Sequence, residues 1–263
     1  MEFIANLVDE EGIAEMNPKG TLSKSGVFIY DSYKDNIIID KYNRVFRKMR
    51  ASKLEAIRSI NSEDAITWNA FRTLQKIDPE LWLPLLFQQT FQDHRTDIIE
   101  NMKISLWKKL SPPAEWGLTE GDSEIDVILE NDHFVWFIEV KYKSDVSMGT
   151  THDITRNQIL RNIDVGTEYA GDKDFYFSLL ILDDKHSPKG VKLVGEYRIF
   201  ADFMVKSLPH RGGQLLNLKG ISLLTWQEIR GLFSYCEENA QYEDEQLLSR
   251  LAKKDLDRRI KRG

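Results

Sequence analysis

Two acids and a lysine in this chain are spaced so that they could gather around one divalent cation. The run Ser123-Glu124-Ile125-Asp126-Val127-Ile128-Leu129-Glu130 is followed by Phe134-Val135-Trp136-Phe137-Ile138-Glu139-Val140-Lys141-Tyr142-Lys143. Both runs have strand character, and Asn131-Asp132 between them reads as a tight turn. Side chains on a strand alternate between faces, so the loop length decides which of them meet. A two-residue loop makes Asp126 and Glu139 diagonal neighbours, and a four-residue loop pairs them directly. In both cases Asp126, Glu139 and Lys141 project from one face. A three-residue loop would separate them. A metal ion held there could lower the pKa of a bound water and offset charge on a phosphate. A nearby ammonium could orient that water or stabilise the transition state.

The plainer reading is a solvent-facing hairpin with charges alternating among apolar residues. The composition of the two faces counts against it. The Asp126/Glu139 face also carries Ile128, Val135 and Phe137, and the opposite face carries Ile125, Val127, Leu129, Trp136, Ile138 and Val140. Both faces therefore read as buried, as in an interior sheet. Charges at the end of such a hairpin are costly unless they meet a partner or a metal.

Asp126 followed by Glu139-Val140-Lys141 at the end of the next strand resembles the PD-(D/E)XK nuclease superfamily, which includes restriction enzymes and RecB-like exonucleases. The resemblance implies that Asp126 and Glu139 bind magnesium together with the main-chain carbonyl of Val140, and that Lys141 assists the attacking water. Magnesium prefers oxygen ligands and retains several waters, which suits that set; manganese is expected to substitute. Ile125 stands where the family often has proline. The resemblance covers about residues 60 to 235, although its specific part is short.

The elements around the hairpin supply further candidates. Asn61-Ser62-Glu63-Asp64 opens a helix over 63–77, with Ser62 as N-cap and acids in the first turn. Ile66, Ala70, Leu74 and Ile77 form its apolar stripe, and Glu63 extends that stripe by one step. Family members often place a glutamate on a helix before the hairpin, so Glu63 is a candidate catalytic and metal residue; the alternative is an acid favoured by the helix dipole. A helix from Asp153 turns Ile159, Leu160 and Ile163 inward, with Gln158 and Arg161 one turn apart beside that face. RecB-like relatives carry a glutamine on this helix, which makes Gln158 a candidate catalytic residue. Arg161 could meet phosphate or remain an exposed helical arginine.

At 263 residues the chain suits one sizeable α/β domain with additions, and a hydrophobic fraction of 41% with six tryptophans promises a substantial core. The single cysteine, Cys236, excludes an internal disulfide and suits a reducing cytoplasm; as part of a helix it reads as a packed thiol. No signal peptide or membrane span is evident, so a cytoplasmic location is expected. Five scattered histidines offer no zinc or metalloprotease spacing, and no glycine loop with lysine suggests nucleotide hydrolysis.

The net charge of −6 argues against indiscriminate nucleic-acid binding, so any basic surface must be local. Lys41, Arg44, Arg47, Lys48, Arg50, Lys53 and Arg58 crowd one helical region, where Arg44, Arg47 and Lys48 could follow a phosphate backbone. A second basic run lies at Lys253–Arg262. The first could equally be a solvated helix face, which is the preferred reading of the second.

The expected fold is α/β: a restriction-endonuclease-like core with a central mixed sheet flanked by helices, plus helical N- and C-terminal additions. Residues 1–60 read as a mostly helical lead with a short extended piece at 26–30, residues 61–235 as the core, and 236–263 as a helical tail. Within the core, 82–91 is apolar and leads toward a helix over 97–110, which Pro112-Pro113 stops. Strands are expected over 175–182 and 221–225, and a helix over 226–235. The function implied is a magnesium-dependent DNA endonuclease acting on duplex, in prokaryotic or phage-associated defence or repair. The alternatives are a non-catalytic nucleic-acid-binding or assembly module on the same fold, or an RNA-directed nuclease. Action alone, as a homodimer or with a partner subunit stays open at this level.

Overall fold

A computed structural model describes residues 19–118, 121–149, 156–199, 204, 206–212 and 215–261. The chain divides into two compact units, Met1–Ile77 with Phe233–Gly263, and Asp78–Leu232. These bounds differ from the division at residues 60 and 235 read from sequence, because the helix beginning at Glu63 packs with the C-terminal helix.

In the first unit, strands β1 (Gly20–Leu22) and β2 (Phe28–Tyr30) form an antiparallel pair. The basic region forms two short helices, α1 (Arg44–Lys48) and α2 (Ala51–Ile57), in place of one continuous run. Helix α3 (Glu63–Leu74) starts where its sequence dictates: the Ser62 hydroxyl accepts from the Ala65 amide at 3.3 Å. Its stripe of Ile66, Ala70 and Leu74 is buried, as is Ile77 beyond it. In the second unit, α4 (Pro79–Phe91) has Asp78 as N-cap and a proline in its first turn, where a missing N–H costs nothing.

A five-stranded sheet organises the second unit: β3 (Lys103–Leu110), β4 (Ser123–Glu130), β5 (Phe134–Val140), β6 (Asp174–Ile181) and β7 (Leu218–Thr225), in that spatial order. β4 runs antiparallel to both neighbours, whereas β5, β6 and β7 are mutually parallel, so the sheet is mixed. The parallel strands are joined through α5 (Gln158–Ala170) and α6 (Pro188–Ile199), and β7 leads into α7 (Trp226–Asn239), within which the unit boundary falls. Helix α8 (Glu243–Ile260) ends the first unit.

Each face of the sheet is covered by helix. Phe87 and Phe91 of α4 meet Trp136 and Tyr176 edge-on or tilted at 4.8–5.8 Å on one face. On the other, Ile159, Leu160 and Ile163 of α5 pack with Ile128, Val135, Phe137, Phe175 and Phe177. All seven β5 residues are buried, which accounts for the nearly unbroken apolar run. Gly166 lets α5 sit this close, since a Cβ there would lie 2.1 Å from the Phe175 ring.

The helix expected over 97–110 is a strand instead. Ile98, Met102, Leu106 and Leu110 recur every fourth residue and imitate a helical stripe. From Lys103 onward, however, the chain also alternates with period two, and β3 pairs along the whole of β4 from Lys103–Glu130 to Leu110–Ser123. Tertiary pairing decides between the two patterns. The helix expected from Asp153 begins at Gln158, capped by the Asn157 side chain on the Leu160 amide at 2.9 Å. Residues 153–155, like the part of the expected helical lead before residue 19, lie outside the described residues. Among the described residues, no helix is long and apolar enough to cross a membrane.

Candidate active site

The β4–β5 register sets the geometry. Glu130 pairs with Val135, Ile128 with Phe137 and Val127 with Ile138, so the hairpin closes through a four-residue loop. Asn131 holds that loop: its amide donates to the Phe134 carbonyl at 3.1 Å and its Oδ1 accepts from the His133 and Phe134 amides. Extending the register sets Asp126 opposite Glu139, but the ladder stops at Val127–Ile138. There the Asp126 side chain takes the place of the strand, its Oδ2 accepting from the Val140 amide at 2.8 Å. A residue's N–H and C=O leave a strand on the same side, so the Val140 carbonyl is also directed toward β4.

The β3 side of Asp126 is irregular as well. Pairing with β4 skips between Leu106–Val127 and Lys108–Ile125, and Trp107 at the gap has φ +54°. A left-handed backbone at a bulky residue is strained, while the β3–β4 register is the same on either side of it. Asp126 thus lies where the β4–β5 ladder ends, opposite a left-handed residue of β3.

Glu139 is 1% exposed, and Lys141, just past the end of β5, is 7% exposed. A carboxylate so buried must be met by donors, and three reach it. Lys141 Nζ lies 2.7 Å and Gln158 Nε2 2.5 Å from Oε1, while Asn162 Nδ2 lies 2.6 Å from Oε2. Lys141 is fixed by its own backbone, donating its N–H to the Leu180 carbonyl at 2.7 Å and accepting from Trp226 Nε1 at 3.1 Å. Gln158 is held from the other side: its backbone N–H donates to the Ser147 carbonyl at 2.9 Å, and its Oε1 accepts from the Ser147 amide at 3.3 Å. That second bond orients the side-chain amide with its NH2 toward Glu139.

Asp126, Glu139, Val140, Lys141 and Gln158 are therefore brought together. Arg161 lies one turn along α5 from Gln158, half-buried, with its guanidinium 3.4 Å from the Ser123 hydroxyl. Glu63 is the first residue of α3 in the other unit, where its carbonyl accepts from the Thr67 hydroxyl at 2.7 Å. Arg44, Arg47 and Lys48 are exposed on α1 of that unit. Asn162 is the site residue that sequence reasoning missed, although its position four residues after Gln158 on one helix face was the available signal.

Nearby, Lys143 titrates below the usual lysine range because burial disfavours its charged form. Deeper in α5, Asp164 is fully buried and binds Arg156 at 2.6 Å, His210 at 2.8 Å and Arg211 at 2.7 Å. This cluster pins the segment before β7 to α5, and its partners are already matched.

Among the described residues, no group of three or more histidine, cysteine, aspartate or glutamate side chains is placed to hold a metal ion. A cation at the hairpin would rest on two carboxylates, the Val140 carbonyl and water. That oxygen-only donor set with few protein ligands suits magnesium, which dehydrates reluctantly and seldom takes an all-protein cage. In comparisons with known proteins, no family model matched the chain, and neither did any curated protein or solved structure.

Proposed function

We propose that this protein is a metal-dependent nuclease of the PD-(D/E)XK type, hydrolysing phosphodiester bonds in DNA and most readily in duplex. The observation that carries the reading is the convergence of Asp126, Glu139 and Lys141 at the broken end of the β4–β5 ladder. In a sheet covered on both faces, two acids and a lysine at that place are costly unless they meet partners or a metal. The mixed order of the sheet and its helical layers are compatible with a restriction-endonuclease-like fold.

In this reading Asp126, Glu139 and the Val140 carbonyl hold magnesium, with manganese able to substitute. The ion would supply a water of lowered pKa and a counter-charge to the phosphate. Lys141 brings an ammonium to the same face, where it stabilises negative charge on the attacked phosphate or orients the water. Gln158 fixes the Glu139 carboxylate from α5. Arg44, Arg47, Lys48 and Arg161 are proposed phosphate contacts. A role in prokaryotic or phage-associated defence or repair is proposed by analogy with the PD-(D/E)XK family alone.

One observation favours a second reading. Glu139 already carries three donors, a complement that would also serve a non-catalytic nucleic-acid-binding module in which the cluster only locks β5 to α5. Incubating the purified protein with plasmid, linear duplex and single strands, in magnesium, manganese or chelator, separates the two. The nuclease reading expects duplex cleavage with either metal and none in chelator. Binding without cleavage under every metal condition would favour the module.

A further inference from the structure

We propose that Asn162 is a positioning residue for the metal centre, presenting Oε2 of Glu139 as the oxygen that faces the cation; this rests on the metal-dependent reading above. A carboxylate oxygen accepts about two hydrogen bonds. Oε1 is filled by Lys141 at 2.7 Å and Gln158 at 2.5 Å, whereas Oε2 carries only Asn162, at 2.6 Å. One acceptor site is left on Glu139, and it lies on Oε2. A cation can take it without displacing Lys141 or Gln158, so the lysine remains in place while the metal is held.

Asn162 determines where that site points. Its amide is 3% exposed and rides on the face of α5 whose neighbours Ile159 and Ile163 are fixed in the core. With Gln158 on one oxygen and Asn162 on the other, both donated from one helix, the plane of the Glu139 carboxylate cannot turn. An amide suits this position because it donates without adding charge. A lysine or arginine there would compete with the cation, and an aspartate or glutamate would repel Glu139. Outer-shell donors of this kind typically change metal affinity by about 10–100-fold when removed.

The test is calorimetric titration of the full chain with Mn2+ in the absence of nucleic acid, comparing the parent with Asn162→Ala, Asn162→Ser and Asp126→Ala. The expected result is one binding event in the parent and none in Asp126→Ala. In both Asn162 variants the affinity should be weaker by roughly 10–100-fold, with circular dichroism unchanged. A merely structural asparagine would lower the melting temperature but leave the Mn2+ affinity of the folded protein where it was, and that result overturns the proposal. Failure of both variants to fold, with or without Mn2+, assigns Asn162 to the fold and overturns it equally. If the parent itself binds no Mn2+, the metal reading falls and takes this inference with it. If the parent binds, Asp126→Ala does not, and the Asn162 variants match the parent, only the inference about Asn162 falls.

Discussion

Lys141 and Glu139 neutralise each other at a depth where neither charge is well solvated, so removing one partner is expected to have two separate effects. Lys141→Met keeps the aliphatic stem and deletes the ammonium. Cleavage should fall by roughly 10²-fold or more, the order seen when one electrostatic stabiliser of a transition state is lost. Duplex affinity measured in calcium should change little. The same substitution leaves Glu139 buried without its cation, a loss of roughly 3–5 kcal/mol. Thermal melts of Lys141→Met should therefore be depressed in chelator and partly restored by magnesium, and a variant with parental melting and rate would reduce Lys141 to a strand-end residue. The shared face of Asp126, Glu139 and Lys141 was legible from alternation alone, because two loop lengths give the same parity. The loop that forms is the four-residue one, set by Asn131 bonding to the main chain of His133 and Phe134, a local choice that the dipeptide Asn131-Asp132 does not announce. Nor could alternation reveal the left-handed backbone at Trp107 or the gap it leaves beside Asp126.

At the level of elements, helix ends and apolar stripes were the most readable features, because their causes are local. Ser62 caps α3, and Trp226 opens α7 close to where the pattern placed them. Strand β3 was misread because two periodicities coexist in one segment and only pairing with β4 chooses between them. The pairing of α3 with α8 was not readable at all, since it depends on a polar network between residues far apart in sequence. Asn69 Nδ2 donates to Asp255 Oδ2 at 2.9 Å, Arg259 Nε donates to the same oxygen at 2.9 Å, and Arg259 Nη1 donates to the Ile60 carbonyl at 2.6 Å. Burial alone would raise the Asp255 pKa, but the guanidiniums of Arg259 and Arg258 and the hydrogen bonds from Arg259 and Asn69 outweigh it and hold the carboxyl below the usual range. A carboxyl whose folded-state pKa is depressed adds stability above its unfolded value, near 3.9, and loses it as pH falls through the lower folded value. Denaturant melts should show the parent losing stability below about pH 4. Asp255→Asn should be less stable near neutrality and should respond less to acid. An identical pH profile for the two proteins would remove Asp255 from this role. Cys236, on α7, is pushed up to about 12 by burial and by Glu245, in keeping with the packed thiol expected from its helical context.

For the molecule as a whole, a net charge of −6 means that any nucleic-acid surface is a local exception. The side chains of Arg44, Arg47 and Lys48 are exposed on α1 in the first unit and are the proposed place for it. If they touch phosphate, each contact contributes about one unit to the slope of log affinity against log salt. Changing all three to Gln should flatten that slope and weaken binding to every sequence alike, while cleavage at saturating DNA persists. Parental affinity and slope in the triple variant would leave α1 a solvated helix. Mixed α/β architecture could be anticipated from strands alternating with helices, but the division into two units could not, because residues 233–263 join the first unit across the entire sheet-bearing segment. Whether the acids at the end of the β4–β5 ladder hold the metal that supports hydrolysis is decided by duplex cleavage with Asp126→Ala and Glu139→Ala beside the parent, in magnesium and in chelator. The parent should cleave in magnesium and not in chelator, and neither variant should cleave although both remain folded. Undiminished cleavage by either variant, or by the parent in chelator, would mean that these acids hold no catalytic metal.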